Sequence, residues 1–177
     1  MNNSDIIRTR QTFYKTLYLL FKLLERKDPN ATMVLEIIKK LGCDVDPEVI
    51  KDNAYEEIPN ILGRYVRKDL DPATMKLYPM TINEFYRNAG YENESEKPDH
   101  IMTMLSFMIQ LLNDEETIIG NEDEAKRIRR IQHRFLNIHL IPLLKNYEEE
   151  NTPMKQLIKC IEKYLSYDLA ILRSSLY

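Results

Sequence analysis

The stretch PDHIMTMLSFMIQLLN, residues 98–113, decides the fold class of this chain. From His100 to Asn113 it carries no Lys, Arg, Asp or Glu. Ile101, Met104, Leu105, Met108, Leu111 and Leu112 recur at the spacing of one face of an α-helix. Thr103, Ser106 and Gln110 interrupt it, and it is shorter than the roughly 20 apolar residues of a membrane span. It predicts a buried helix of a globular protein.

The same period extends in both directions. Phe13, Leu17, Leu20 and Leu24 share a face, with Tyr14, Tyr18 and Phe21 beside them. Met33, Val34, Ile37, Ile38 and Leu41 make a second stripe, Ile128, Ile131, Phe135 and Ile138 a third, and Leu157, Ile158, Ile161, Leu165, Leu169 and Leu172 a last. Asp28-Pro29, Asp46-Pro47, Asp71-Pro72 and Thr152-Pro153 read as helix starts, and Gly42 as a helix end. Thr81 with Glu84 reads as a capping box opening a short helix that Gly90 ends. Pro98 is predicted at the first helical position, with Asp99 and His100 in the first turn. Pro142 is predicted to kink or end its helix. Glu92–Asp99 and Asn113–Glu124 read as acidic loops. No stretch alternates as a strand bounded by hairpin turns. The expectation is an all-α, single-domain multi-helix bundle of about seven to nine helices over residues 1–177.

Composition bounds the function. Among 177 residues, 25 Lys+Arg face 28 Asp+Glu for a net charge of -3, so no basic excess points to nucleic acid. Hydrophobic residues at 44% place the chain among globular proteins. Cys43 and Cys160 lie far apart in no CxxC pair, so no disulfide framework is expected and a reducing compartment is inferred. With no signal peptide or membrane segment, the expected location is the cytoplasm.

Catalytic patterns are missing. The four glycines are too dispersed for a phosphate loop or dinucleotide fingerprint. No HExxH, Glu-x-x-His or GxSxG motif occurs, and neither Cys has a His within a helical turn. The expectation is a protein without catalytic activity, cofactor or metal. An enzyme is the weakest reading.

One constellation stands apart: Glu96-Lys97-Pro98-Asp99-His100 closes an acidic loop and opens the most apolar helix. Read with Tyr78-Pro79, Phe85-Tyr86-x-x-x-Gly90 and Leu105-x-Phe107-Met108, it resembles the TorD/DmsD family of redox-enzyme maturation chaperones. Phe135…His139-Leu140-x-Pro142 resembles that family's F-x-x-x-H-L-x-P-W block. The likeness runs from about Leu62 to Tyr164. Leu143 stands where the family often has Trp, and an aromatic-x-x-Leu-Phe motif is degraded to Leu62-Gly63-Arg64-Tyr65-Val66. These departures suggest a divergent member, toward the nitrate-reductase-chaperone branch.

The resemblance implies a cytoplasmic chaperone that binds the twin-arginine signal peptide of a molybdenum-containing reductase and assists cofactor insertion before export. Its partners would be that peptide and the catalytic subunit carrying it, and the protein itself a monomer or homodimer. Such a ligand needs an apolar groove with negative charge at one end. Glu92, Glu94, Glu96 and Asp99 offer the charge. Met102, off the main stripe, offers a flexible apolar lining. Glu96, Pro98, Asp99, His100, Tyr86, Met102 and Tyr65 are the candidate peptide-binding residues. The alternative is a generic helical adaptor for a partner's amphipathic helix, unrelated to redox enzymes. The arginine-rich stretch Lys126–Arg134 reads as a solvated helix with i,i+4 pairs, or as a secondary contact with a client.

Overall fold

The computed structural model describes residues 3–118, 120–147, 152 and 154–176. In order come α1 (Asn3–Glu25), α2 (Asn30–Lys40), α3 (Pro47–Glu57), a 3-10 turn (Ile58–Asn60), α4 (Gly63–Val66), α5 (Pro72–Asn88), α6 (Ile101–Thr117), α7 (Glu122–Phe135), a π turn (Leu136–Leu140), α8 (Ile141–Tyr147) and α9 (Lys155–Ser175). No strand occurs among the described residues, only an isolated antiparallel bridge between Leu62 and His100. No helix there is long and apolar enough to cross a membrane.

Two of the predicted starts form as expected, whereas α2 begins at Asn30, with Pro29 as its N-cap rather than its first helical residue. The Asp46 carboxylate accepts from the N–H groups of Glu48 and Val49, and Asp71 from those of Ala73 and Thr74, each with proline at the first helical position. Asp28 accepts from the Asn30 N–H at 2.9 Å. Pro153 lies outside the described residues.

Helix α6 sits at the centre, with α1 along one side and α7 along another. Its stripe from Ile101 to Leu112 is buried, and Tyr14, Leu20, Phe21 and Leu24 of α1 pack into the same core as Leu157, Ile158 and Leu165 of α9. Burying one such side chain contributes roughly 1.5–3 kcal/mol.

Several local expectations are corrected by tertiary packing. No helix begins at Thr81: α5 runs through it, and its hydroxyl donates back to the Leu77 carbonyl. Pro79 lies inside α5, because the helix buries Tyr78, Ile82 and Tyr86 along one face and that burial outweighs the proline's cost of about 3 kcal/mol. Asn113–Thr117 is the last turn of α6 rather than loop. There Glu116 accepts from Arg8 at 3.0 Å and from Gln11 at 2.9 Å, so α1 holds the turn in place. In α2 the buried face is Ala31, Val34, Leu35 and Ile38, while Met33, Ile37 and Leu41 are exposed. The face is rotated from the predicted one.

Pro142 does not end its helix. The chain widens to a π turn over Leu136–Leu140 and continues as α8. An α-helix would have the N–H of residue 142 donate to the Ile138 carbonyl. Proline has none, and Arg67 Nη1 donates to that carbonyl instead, at 3.0 Å. Because α7, the π turn and α8 are continuous, the helical segments form eight rods among the described residues.

The cysteines are also corrected. Cys43, just past α2, and Cys160, in α9, form a disulfide across a Cα–Cα distance of 5.7 Å. Distance in sequence concealed a pair that the packing of α2 near α9 brings together. The ground on which a reducing compartment was inferred is thereby removed.

Candidate functional site

The loop between α5 and α6 is held by its own polar groups. Asn93 Oδ1 accepts from the Ser95 N–H at 3.1 Å, and Ser95 Oγ from the Lys97 N–H at 3.1 Å. Thr103, one turn into α6, donates to the Lys97 carbonyl at 2.9 Å. Tyr86, at the end of α5, donates to the Pro98 carbonyl at 2.8 Å. The loop is therefore tied at both ends to the helices it joins.

Between this loop, α6 and Tyr18 of α1 lies a groove of about 490 Å³. Glu92 and Glu94 give it an acidic wall, and Tyr91, Tyr86, Met102 and Phe107 an aromatic and thioether floor. Tyr91 packs edge-on to Phe107 at 5.2 Å and donates to Asp114; burial first, then that carboxylate, raises its phenol well above the ordinary value. Tyr86 lies 4.5 Å from Phe107, and Phe107 4.8 Å from Phe135. Phe135 in turn lies 5.6 Å from His139, and Phe85 lies 5.1 Å from the same imidazole. Offset and edge-to-face pairs of this kind stabilise by about 0.5–1.5 kcal/mol each beyond burial. A continuous ring stack thus joins the groove floor to the residues of the second sequence block.

Of the seven residues singled out from sequence, Tyr86 and Met102 line the groove. Pro98, Asp99 and His100 are buried beneath the loop, Glu96 is exposed on it, and Tyr65 is 61% exposed on α4, away from the groove. Pro98 precedes the helix rather than starting it, and His100 is the N-cap of α6. His100 Nδ1 accepts from the Met102 N–H at 3.3 Å, which leaves Nε2–H to donate to the Ile58 carbonyl at 2.8 Å. That arrangement needs a neutral ring, and burial pushes the His100 pKa down.

Asp99 is wholly buried and already engaged by an arginine. Arg64 grips it through Nη2 at 2.6 Å and Nε at 3.1 Å, and the Arg64 N–H donates to it at 2.8 Å. The Asp99 carbonyl accepts from the Gly63 N–H, and the Ile61 carbonyl from the Ile101 N–H. The segment around α4 is thus stitched to the start of α6.

A second buried polar group sits at the far end of the ring stack. Arg67 donates to the Tyr78 hydroxyl at 2.9 Å, and Tyr78 contacts His139 Nδ1 at 3.2 Å. Burial, then the positive charges of Arg67 and Arg134, bring the His139 pKa down to about 4. Burial raises the Tyr78 phenol to about 12.

Sequence reading missed Tyr18, Tyr91 and Phe107 as groove residues and Arg64 as the partner of Asp99. The pattern around Tyr91 carried no signal, and Phe107 was read only as part of a motif. Arg64 was visible only as part of a degraded motif, since its partner lies 35 positions on. Arg129 was read as solvated but is buried against Glu115 at 2.7 Å and Glu122 at 3.0 Å.

No three His, Cys, Asp or Glu side chains among the described residues are placed to hold a metal ion. The groove sets one acidic wall beside an aromatic and thioether floor. The sequence profile of the nitrate reductase delta subunit family matches residues 53–146. This is more than half of the chain, and it contains every groove residue except Tyr18. The chain belongs to the nitrate reductase delta subunit family. Members of this family are chaperones for the assembly of molybdenum-containing reductases, bind the catalytic subunit, and are not enzymes themselves. Membership sets aside the reading of an adaptor unrelated to redox enzymes. It also gives the blocks at Glu96–His100 and Phe135–Pro142 a shared context, since Tyr86 joins them, its hydroxyl on the Pro98 carbonyl and its ring against Phe135.

Proposed function

We propose that this nitrate reductase delta subunit family member binds the N-terminal twin-arginine signal peptide of its client reductase in the groove beside Glu92 and Glu94. It thereby delays export until the molybdenum cofactor is inserted, acting in the cytoplasm as one helical domain over residues 1–177. The observation that carries this reading is the position of the groove. It is formed by the acidic loop that ends in the Glu96–His100 block, and its floor is Met102 and Phe107. Glu92 and Glu94 are placed to meet the arginines, and the aromatic floor to meet the apolar segment that follows. Pro98, Asp99 and His100 act from below by holding the loop.

Exposed ion pairs contribute about 0.2–1 kcal/mol each, while ordering a peptide costs on the order of 2–5 kcal/mol. Micromolar affinity, about −8 kcal/mol, therefore rests on buried apolar contacts, with the arginines setting register. Calorimetric titration with the signal peptides of molybdenum reductases tests this. The expected outcome is binding to one peptide, weakened more by a polar residue in its apolar segment than by neutralising both arginines. The opposite order would overturn the ranking. Absence of binding to every such peptide would overturn the reading.

A further inference from the structure

Helices α7 and α9 present a second cleft, of about 690 Å³, that the groove above does not use. Arg130, His133 and Asn137 lie along one line of the α7 rod, and Ser166, Leu169 and Arg173 along the facing line of α9. These are helical spacings, so each line is one continuous edge. No carboxylate lines the cleft among the described residues.

This contrasts with the paired arginines of the bundle, though Arg134, one turn along from Arg130, is likewise exposed and meets no carboxylate among the described residues. Arg10, Arg64, Arg67, Arg127 and Arg129 each meet a carboxylate within hydrogen-bond distance. Arg130 and Arg173 are exposed and have no such partner among the described residues. Of the acids close by in sequence on α9, Asp168 is buried against Arg10 and Tyr14, and Glu162, at the edge of the cleft, accepts from Ser166 and pairs with Lys145 rather than with Arg130 or Arg173. A chain of net charge -3 thus carries a cleft with two arginines and, among the described residues, no carboxylate in its lining, with Leu169 and Leu176 in its wall.

We infer that the α7–α9 cleft docks an acidic peptide segment of a protein partner, with carboxylates on Arg130 and Arg173 and an apolar side chain on Leu169. Charge complementarity selects the acid, since neither guanidinium meets a carboxylate among the described residues. The leucine wall favours a peptide over a small anion.

The test is fluorescence anisotropy of full-length protein with a labelled peptide of repeated Glu-Glu-Leu, set against repeated Lys-Lys-Leu. The acidic peptide is expected to bind and the basic one not to. The double variant R130E/R173E, which alters exposed side chains, should weaken acidic-peptide binding by about tenfold or more at low salt, with the effect shrinking as salt is raised. L169N should weaken it while leaving the salt dependence in place. Both variants should keep wild-type helical content and wild-type titration with signal peptide, so this cleft can fail without the groove failing. Three results would each overturn the inference: equal affinity of R130E/R173E, full competition by millimolar inorganic phosphate, or tight binding to phosphatidylserine vesicles without binding to the acidic peptide.

Discussion

Arg64 encloses the Asp99 carboxylate from two sides, with Nη2 2.6 Å from one oxygen and Nε 3.1 Å from the other. Asp99 is fully buried, whereas the Arg64 side chain keeps 30% of its exposure. The pair joins α4 to the turn that starts α6 and so sets the height of the loop above it. Removing Arg64 strands a buried negative charge. Arg64→Ala is expected to cost about 3 kcal/mol of stability. The double variant R64A/D99N should recover part of that loss, because the stranded charge is gone. Denaturant unfolding followed by circular dichroism measures both, and no recovery in the double variant would contradict the account.

His100 acts as cap and donor together. His100→Ala removes an N-cap interaction, typically worth about 1 kcal/mol, and leaves the Ile58 carbonyl without its partner. The protein should remain folded with unchanged helical content. Its affinity for signal peptide should fall several-fold, because the first turn of α6, from which Met102 lines the groove, loses its cap. A fall in helical content with no separate change in affinity would make the residue structural only.

Gly63 is required for space rather than for backbone freedom. A Cβ there would run into the ring of Tyr78, which is itself fixed between Arg67 and His139. Gly63→Ala is expected to destabilise by roughly 1–3 kcal/mol through overpacking. Pairing it with Tyr78→Leu, which removes the ring it meets, should make the two changes less than additive. Strict additivity would show that the ring does not carry the penalty.

Stability should fall on acidification through the histidines. His139 is held neutral in the fold with its pKa at about 4, while the unfolded chain takes up the proton near 6.5. Between those values the unfolded state binds more protons, so the stabilisation is complete above about 6.5 and is lost as pH falls toward 4. The full loss is on the order of 3 kcal/mol. His100 is shifted in the same direction by burial. Unfolding midpoints measured at a series of pH values should be level from 8 to 7 and decline below. His139→Gln should flatten that decline.

Reduction of Cys43–Cys160 should lower stability without changing the fold. The bond closes a long loop, with a sequence separation of 117, and bonds of this kind typically contribute about 2–4 kcal/mol. Thermal unfolding with and without dithiothreitol should show the difference, and the C43S/C160S variant should match the reduced protein. A C43S/C160S variant as stable as the oxidised wild type would refute it.

Much of the helical content was legible because local rules agreed. Asp46-Pro47 and Asp71-Pro72 placed their caps correctly, and the stripes of α1, α6 and α9 matched the buried faces. Where local rules failed, a distant group had supplied what the backbone lacked. Arg67 satisfies the carbonyl that Pro142 leaves open, and Arg8 and Gln11 hold the end of α6 that read as loop. Cys43 and Cys160 follow the same logic.

The candidate site divides along the same line. By itself the sequence determined an all-helical chain, the acidic loop before an apolar helix, and the blocks that carry the family resemblance. Each is a pattern within one or two helical turns, where spacing dictates which side chains share a face. Tertiary structure alone decided that Asp99 faces inward to Arg64, that Tyr18 of α1 closes the groove, and that Arg130 and Arg173 share a cleft whose lining holds no acid among the described residues. These depend on which helices pack together, a global balance of buried area that no local period encodes.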